Sequence, residues 1–463
     1  MERTVSSLRR VPLFLALALV LVVTGFFASM AKSTNPTRLP GGLALTSNAE
    51  STALYCTGLT SAKDGASGHV TFVNTTHIAH LVTIDAVSDT GGRYARQAML
   101  GADKSISIDP SARLQGDSFG VGALVSGGGV VGVEVTKNDT GEAPCTSTGV
   151  TNWYGSGFNT TVGSSAELSI YNPTATRAVF NVVAYSGAGL ATPAKFQGLS
   201  LGAHGQVELN LGTQIVNTTN VGVHVHVLRG SLVIIGVQQS GSTVSLNSGS
   251  SSPLSSALFP QVTTEQGATA QIRLSNPGPV AAQVTLGVRL TTFHIANQSV
   301  SVPAYGTALV TLTPNPAIPA AGYATVALHS SEPVIAALAT GSGGAIALSA
   351  PELPEPEFLV GDFTGLGFDA AALTNTSSRT ITVSFVTFPV GSTQGANGSQ
   401  SVTYGATRLS GNTTSELRTD FPKMLTLRHT FIVVSASRPS LLVTLTSPTT
   451  PAGTTLLAAL DGR

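Results

Sequence analysis

Beyond its N-terminal segment the chain alternates short apolar runs with turn-forming residues. The stretch Val221-Gly-Val223-His-Val225-His-Val227 keeps a strict period of two, the mark of a strand buried on one face. Val, Ile, Thr and Leu fill such runs, and Gly, Asn, Pro and Ser interrupt them every 8–12 residues. No segment holds a helical period for longer than about two turns. This is the pattern of an all-β protein made of sandwiches.

The pattern also repeats. Asn74, Asn172, Asn276 and Asn375 are spaced 98, 104 and 99 residues apart. Two residues before each stands an apolar side chain: Phe72, Ile170, Leu274 and Leu373. Eight residues after each comes another: Val82, Phe180, Val284 and Val383. Every repeat therefore predicts a strand, an Asn-centred turn and a second strand. A further turn follows about 30 residues on, at Asp103, Gly205, Gly306 and Gly405. Strand pairs around tight turns are expected over 119–135, 221–237, 323–340 and 430–446, with Gly127-Gly128-Gly129 as a hairpin tip. A repeat of about 100 residues with about seven strands fits an immunoglobulin- or fibronectin-like sandwich, large enough to bury its own core.

The first residues break this pattern. Arg3, Arg9 and Arg10 precede an apolar run, Val11 to Phe27, with Ser29-Met30-Ala31 after it. A basic flank before an apolar run is an export signal. The run is also long enough to span a bilayer uncleaved. The expected organisation is a signal peptide or transmembrane anchor over 1–31, a linker over 32–50, and sandwiches over 51–148, 152–240, 255–342 and 356–463. The Ser/Gly-rich stretch 240–256 reads as a flexible linker, and Pro351 to Glu357 as a stiffer one.

Export makes the two cysteines interpretable. Cys56 and Cys145 open and close the first unit, and two Cys outside the cytoplasm are expected to form one disulfide.

Composition narrows the function. Lys plus Arg and Asp plus Glu are both 23, so the formal net charge is zero and nothing draws the chain to nucleic acid. Only 10% of residues are charged while 42% are hydrophobic, which excludes a disordered chain. With Cys145…Trp153-Tyr154…Leu168-Ser-Ile170-Tyr-Asn172-Pro-Thr followed by Val221-Gly-Val223-His-Val225, the chain resembles a family of exported actinobacterial proteins of unknown function. That resemblance implies export and repeated β-sandwich units, and carries over no catalytic residue.

Candidate chemistry is sparse. His224 and His226 lie two apart on one strand and share a face. A metal would need two further ligands, so the polar outer face of an amphipathic strand is the simpler reading. Trp153, Tyr154 and Phe158 open the second unit as a possible contact surface, although a lone Trp at a domain entry also suits inter-domain packing. Asp85, Asp89, Glu134, Glu167, Glu208, Asp362 and Asp369 are scattered, and the sequence pairs no two of them for acid–base work. Eight Asn-x-Ser/Thr sites, Asn74 and Asn375 among them, would accept glycans only in a eukaryotic secretory route.

The expectation is a non-enzymatic cell-surface protein without a cofactor: a tandem β-sandwich stalk or interaction scaffold. Its partners would be the membrane, through an uncleaved N-terminal helix, and envelope proteins or cell-wall glycans. A carbohydrate- or wall-binding module protein is the alternative, and a hydrolase a more distant one.

Overall fold

The computed structural model describes residues 42–44, 50–60, 68–102, 104–136, 141–241, 243–263, 269–290, 297–312, 323–342, 345–349, 357–360, 370–375, 377–389, 404–411, 414–416, 430–437, 441–446 and 458–461. The expected signal peptide or anchor over 1–31, most of the expected linker over 32–50, the expected turn at Asp103 and Pro351 to Pro356 lie outside these residues. No helix among the described residues is long and apolar enough to cross a membrane.

The described chain is all-β and mainly antiparallel. Apart from one pairing between Gly42–Ala44 and Ala458–Asp461, strand pairing stays within four successive stretches and repeats one order. In the first, Thr52–Thr60, Ser118–Val125, His80–Ser88 and Arg93–Leu100 form one sheet. Ser105–Ile108, His69–Asn74, Val130–Val135 and Glu142–Pro144 form the other. In the second, the sheets are Asn152–Phe158, Val221–Arg229, Ala178–Ser186 and Gly189–Ala191, and Gln206–Asn210, Ser164–Tyr171, Val233–Ser240 and Thr243–Asn247.

Consecutive strands often pass from one sheet to the other instead of pairing. Gly127–Gly129 is thus a crossover, not a hairpin tip. The ribbon Ser118–Val125 ends in one sheet and Val130–Val135 begins in the opposite one. Gly129, at φ 76°, leaves space that a Cβ would lose to Thr76, 2.1 Å away. In the third stretch the crossover is smoothed out. One strand, Tyr323–Ser342, pairs with Leu254–Thr263 and Ala282–Leu290 through its first half. Its second half pairs with Thr269–Ser275 and Ala345–Ser349.

The four asparagines occupy equivalent places. All are fully buried, and in each the Nδ2 donates to the carbonyl four residues on: Ile78, Thr176, Val280 and Arg379, at 2.6–2.7 Å. A second bond from Nδ2 reaches a strand end, at Leu100, Leu201, Val302 and Leu409; in the fourth stretch that end lies past Gly405, which is no turn but stands inside the strand Tyr404–Leu409. Each Oδ1 accepts the backbone N–H two residues on, from Thr76, Thr174, Gly278 and Ser377. The side chain closes its own turn and ties it to the turn about 30 residues later. In Asn74 and Asn375 the Thr or Ser of the sequon belongs to this clamp, donating its hydroxyl to Oδ1. Neither amide is accessible to a glycan.

The stretch 240–256 is no linker. Thr243–Asn247 is a further strand whose Val244 and Leu246 pack on Ile235, Val237 and Ala143. The alternation Thr-Val-Ser-Leu-Asn was hidden among serines and glycines.

Packing also crosses between stretches. Val130–Val135, Val233–Gln238 and Thr243–Asn247 are buried, or nearly so, on both faces. Thr57 Oγ1 donates to Gln206 Oε1 at 2.9 Å, and Gln206 Nε2 donates to Ser169 Oγ at 2.8 Å, joining the first stretch to the second. Arg273, buried, donates to the carbonyls of Gly157 at 2.6 Å and Thr219 at 3.0 Å, joining the third to the second. The apolar cluster of the first stretch extends to Leu373, Ile381, Val383, Leu409 and Val434 of the fourth. Gly42–Ala44 pairs in parallel with Ala458–Asp461.

Candidate functional site

The disulfide Cys56–Cys145 is formed, with its Cα atoms 4.6 Å apart across 89 positions. It pins the first strand of the first unit to the segment that leaves its last. Beside it, at the junction with the second unit, Glu134 is fully buried. Its Oε2 accepts the Gly58 N–H at 2.6 Å, and its Oε1 has no partner. Burial pushes this carboxyl up to about 8, against the opposing pull of the Gly58 and Thr57 N–H groups.

The aromatic candidates separate. Trp153 and Phe158 are 0% exposed and cannot serve as a contact surface. Both lie in the core, although five residues apart, because the strand's register shifts between Gly155 and Phe158, and the indole Nε1 donates to the Ser248 carbonyl at 2.8 Å. Tyr154 points to the opposite face and is half-buried.

Strand register brings Tyr154 to the histidines. Tyr154 lies opposite His224, and Asn152 opposite His226. On the other flank Asn181 lies opposite His226, and Val183 opposite His224. The Tyr154 and His224 rings stack with centroids 4.1 Å apart and planes 10° apart. Asn152 Oδ1 accepts from His224 Nε2 at 3.0 Å and from His226 Nδ1 at 2.9 Å. Burial, and next the neighbouring His226, hold His224 down at about 4, so its ring is neutral at pH 7. Among the described residues no group of three His, Cys, Asp or Glu is placed to hold a metal ion.

The third unit walls one end of this face. Ser275 lies over Gly222, where an added Cβ would stand 2.2 Å from the Ser275 hydroxyl. Ser275 also shares a 2.7 Å hydrogen bond with Ser156. Tyr185, buried at this end, is pushed up to about 12 by burial and then by its neighbours Tyr154 and Tyr305.

Sequence reasoning missed Asn152, Asn181, Tyr185 and Tyr305, because only strand order shows that they share one surface. It also left the acids unpaired. Glu208 is hydrogen-bonded to Glu167 and pushed up to about 9, by burial first and then by that pairing.

Residues 140–349, spanning the second and third units, match a family of unknown function (DUF5719). No protein of curated function matches the chain. Among solved structures, an α-L-rhamnosidase of Streptomyces avermitilis complexed with L-rhamnose is 10% identical, over 70% of this chain and 45% of that one, at TM-score 0.15. A tetra-tandem repeat from the extending region of a large adhesion protein is 12% identical, over 88% and 99%, at TM-score 0.11. A GH78 family rhamnosidase of Bacillus sp. GL1 is 9% identical, over 88% and 54%, at TM-score 0.15. The chain thus spans about half the length of the two rhamnosidases. Similarity at these scores carries no argument about fold or activity.

Proposed function

We propose that this protein is a non-enzymatic component of the cell envelope. It is an exported scaffold whose β-sandwich units are locked together and hold a surface toward other envelope components. The observation that carries this reading is the buried, hydrogen-bonded packing between units, with Arg273 on Gly157 and Thr219, and Thr57 on Gln206. Flexibly tethered modules have no use for such junctions, whereas a scaffold that fixes the spacing of its surfaces does. The disulfide suits an oxidising compartment, and the basic flank before the apolar run at Val11 suits export.

The test is cell fractionation of the tagged full-length chain, with thiol alkylation before and after reduction. The reading expects the chain in the envelope or medium, with Cys56 and Cys145 alkylated only after reduction. A cytoplasmic chain with both thiols free would overturn it. A wall-glycan reading is favoured by one specific observation, the uncharged Tyr–His–Asn face of the second unit.

A further inference from the structure

We propose that the outer face of the second unit, where Asn152–Phe158, Val221–Arg229 and Ala178–Ser186 run side by side, is a binding site for a neutral oligosaccharide. The inference deepens the scaffold reading by naming what one of its surfaces holds, and it needs that reading only to place the face outside the cytoplasm.

Charge comes first. The outward positions are Asn152 and Tyr154 on one strand, Gly222, His224, His226 and Leu228 on the next, and Val179, Asn181, Val183 and Tyr185 on the third. Arg229, opposite Val179 at the end away from Gly222, is also outward and is the one charged residue of these three strands' face; the others are not Asp, Glu, Lys or Arg. The neighbour that shifts His224 electrostatically is His226, not a carboxylate. A nucleic acid or an anionic wall polymer would find a single cation, Arg229 at one end, and none among the Tyr–His–Asn groups. A polycation would find no acid.

Hydrogen-bonding capacity comes second. Asn152 spends its Oδ1 on the two imidazoles, and Asn181 spends its Oδ1 on the Gly198 N–H at 2.7 Å. Both Nδ2 groups remain as donors. Each imidazole that donates to Asn152 keeps, when neutral, an acceptor lone pair on its other nitrogen. One rung of the sheet therefore reads Asn152, His226, Asn181, and the next reads Tyr154, His224, Val183. Three strands about 4.8 Å apart spread these groups over about 10 Å. An apolar protein surface laid on this face would strand every one of them. A sugar, whose hydroxyls both donate and accept, satisfies them, and its C–H faces meet Val183, Leu228 and the tyrosine rings.

Shape comes third. Ser275 over Gly222, with Tyr305 beside Tyr185, closes one end and turns a flat face into a corner. The stacked Tyr154–His224 pair and the shared Asn152 acceptor fix the side chains before a ligand arrives, which lowers the ordering cost of binding.

The test titrates the full-length chain separately with cellohexaose, xylohexaose, mannohexaose and arabinohexaose, following histidine side-chain NMR shifts and heat. The expectation is saturable binding by at least one of them, shifting His224 and His226. The affinity should not change when salt is raised about tenfold, because no charge pairing is screened. Tyr154→Ala and Asn181→Ala should each weaken it about tenfold or more, while Leu124→Ala, on the exposed surface of the first unit, should not. Near-UV circular dichroism of the buried Trp153 reports whether each variant is folded, and if Y154A is not, Y154F and N181A decide. The proposal is overturned by no saturable binding to any of the four sugars, by undiminished affinity in the folded variants, or by salt-sensitive binding to hyaluronan hexasaccharide instead. A negative titration with the chain found in the envelope would defeat this site and leave the scaffold standing; a cytoplasmic chain would defeat the scaffold whatever the titration gave.

Discussion

A single asparagine in each unit carries bonds that no neighbouring residue replaces. In the second unit, Asn172 donates to the Thr176, Leu201 and Gly202 carbonyls and accepts from Thr174. Asn172→Ala would strand several buried backbone groups, each costing about 1–3 kcal/mol. The expected loss is at least about 3 kcal/mol, measured as a lower denaturant midpoint with unchanged slope. Glu134 sets a different signature. Its folded value is raised from 4.5 to about 8, so the folded chain keeps the proton over a range where the unfolded chain releases it. Stability from this group is whole below pH 4.5 and is lost as pH rises to about 8, at about 1.4 kcal/mol per unit. Glu134→Gln removes the slope. Its stability should gain on that of the parent across this window and converge with it in acid, as read by urea melts at several pH values. The spacing of four Asn was legible in the sequence because the clamp needs an amide at that place. The clamp's partners were not, since they come from a turn about 30 residues away.

At the level of strands, period-two alternation identified elements that face solvent on one side, such as Val221–Arg229. It failed where both sides are covered. Val130-Val131-Gly132-Val133-Glu134-Val135 and Val233-Ile234-Ile235-Gly236-Val237 are continuous runs. Such runs signal burial on both faces, and they mark where units meet. The opposite failure is Thr243–Asn247, where two apolar residues among polar ones sufficed because neighbouring units supply the rest of the core. Leu246→Asp tests that strand. A carboxylate placed among Ile235, Val237 and Ala143 should cost several kcal/mol or drive unfolding, whereas Val162→Asp, on a fully exposed side chain, should leave the thermal midpoint within about a degree or two. The candidate face was half legible. His224, His226 and Tyr154 were each singled out, but nothing in the one-dimensional spacing says that positions about 70 apart are cross-strand neighbours.

Over the whole molecule, the Cys56–Cys145 disulfide closes the first unit on itself. The last strands of the first three units then stand close together, with the Leu348 N–H donating to Ser245 Oγ at 2.9 Å. Side chains such as Arg273 and Gln206 look unremarkable in sequence because their partners are backbone carbonyls and a hydroxyl of a different unit. This explains why repeats could be counted from the sequence while their interlocking could not.

The bond between Cys56 and Cys145 has a mechanical corollary. Tension applied at the two ends of the chain would travel through sulfur rather than through the strands it bridges. The 89-residue span between those positions could then lengthen only if the covalent link were broken, withholding about 300 Å of contour. Stretched in an atomic force microscope, the oxidised chain should extend to a total length shorter by that amount than the same chain in dithiothreitol. Equal lengths under the two conditions would mean that the load never passes through the cystine.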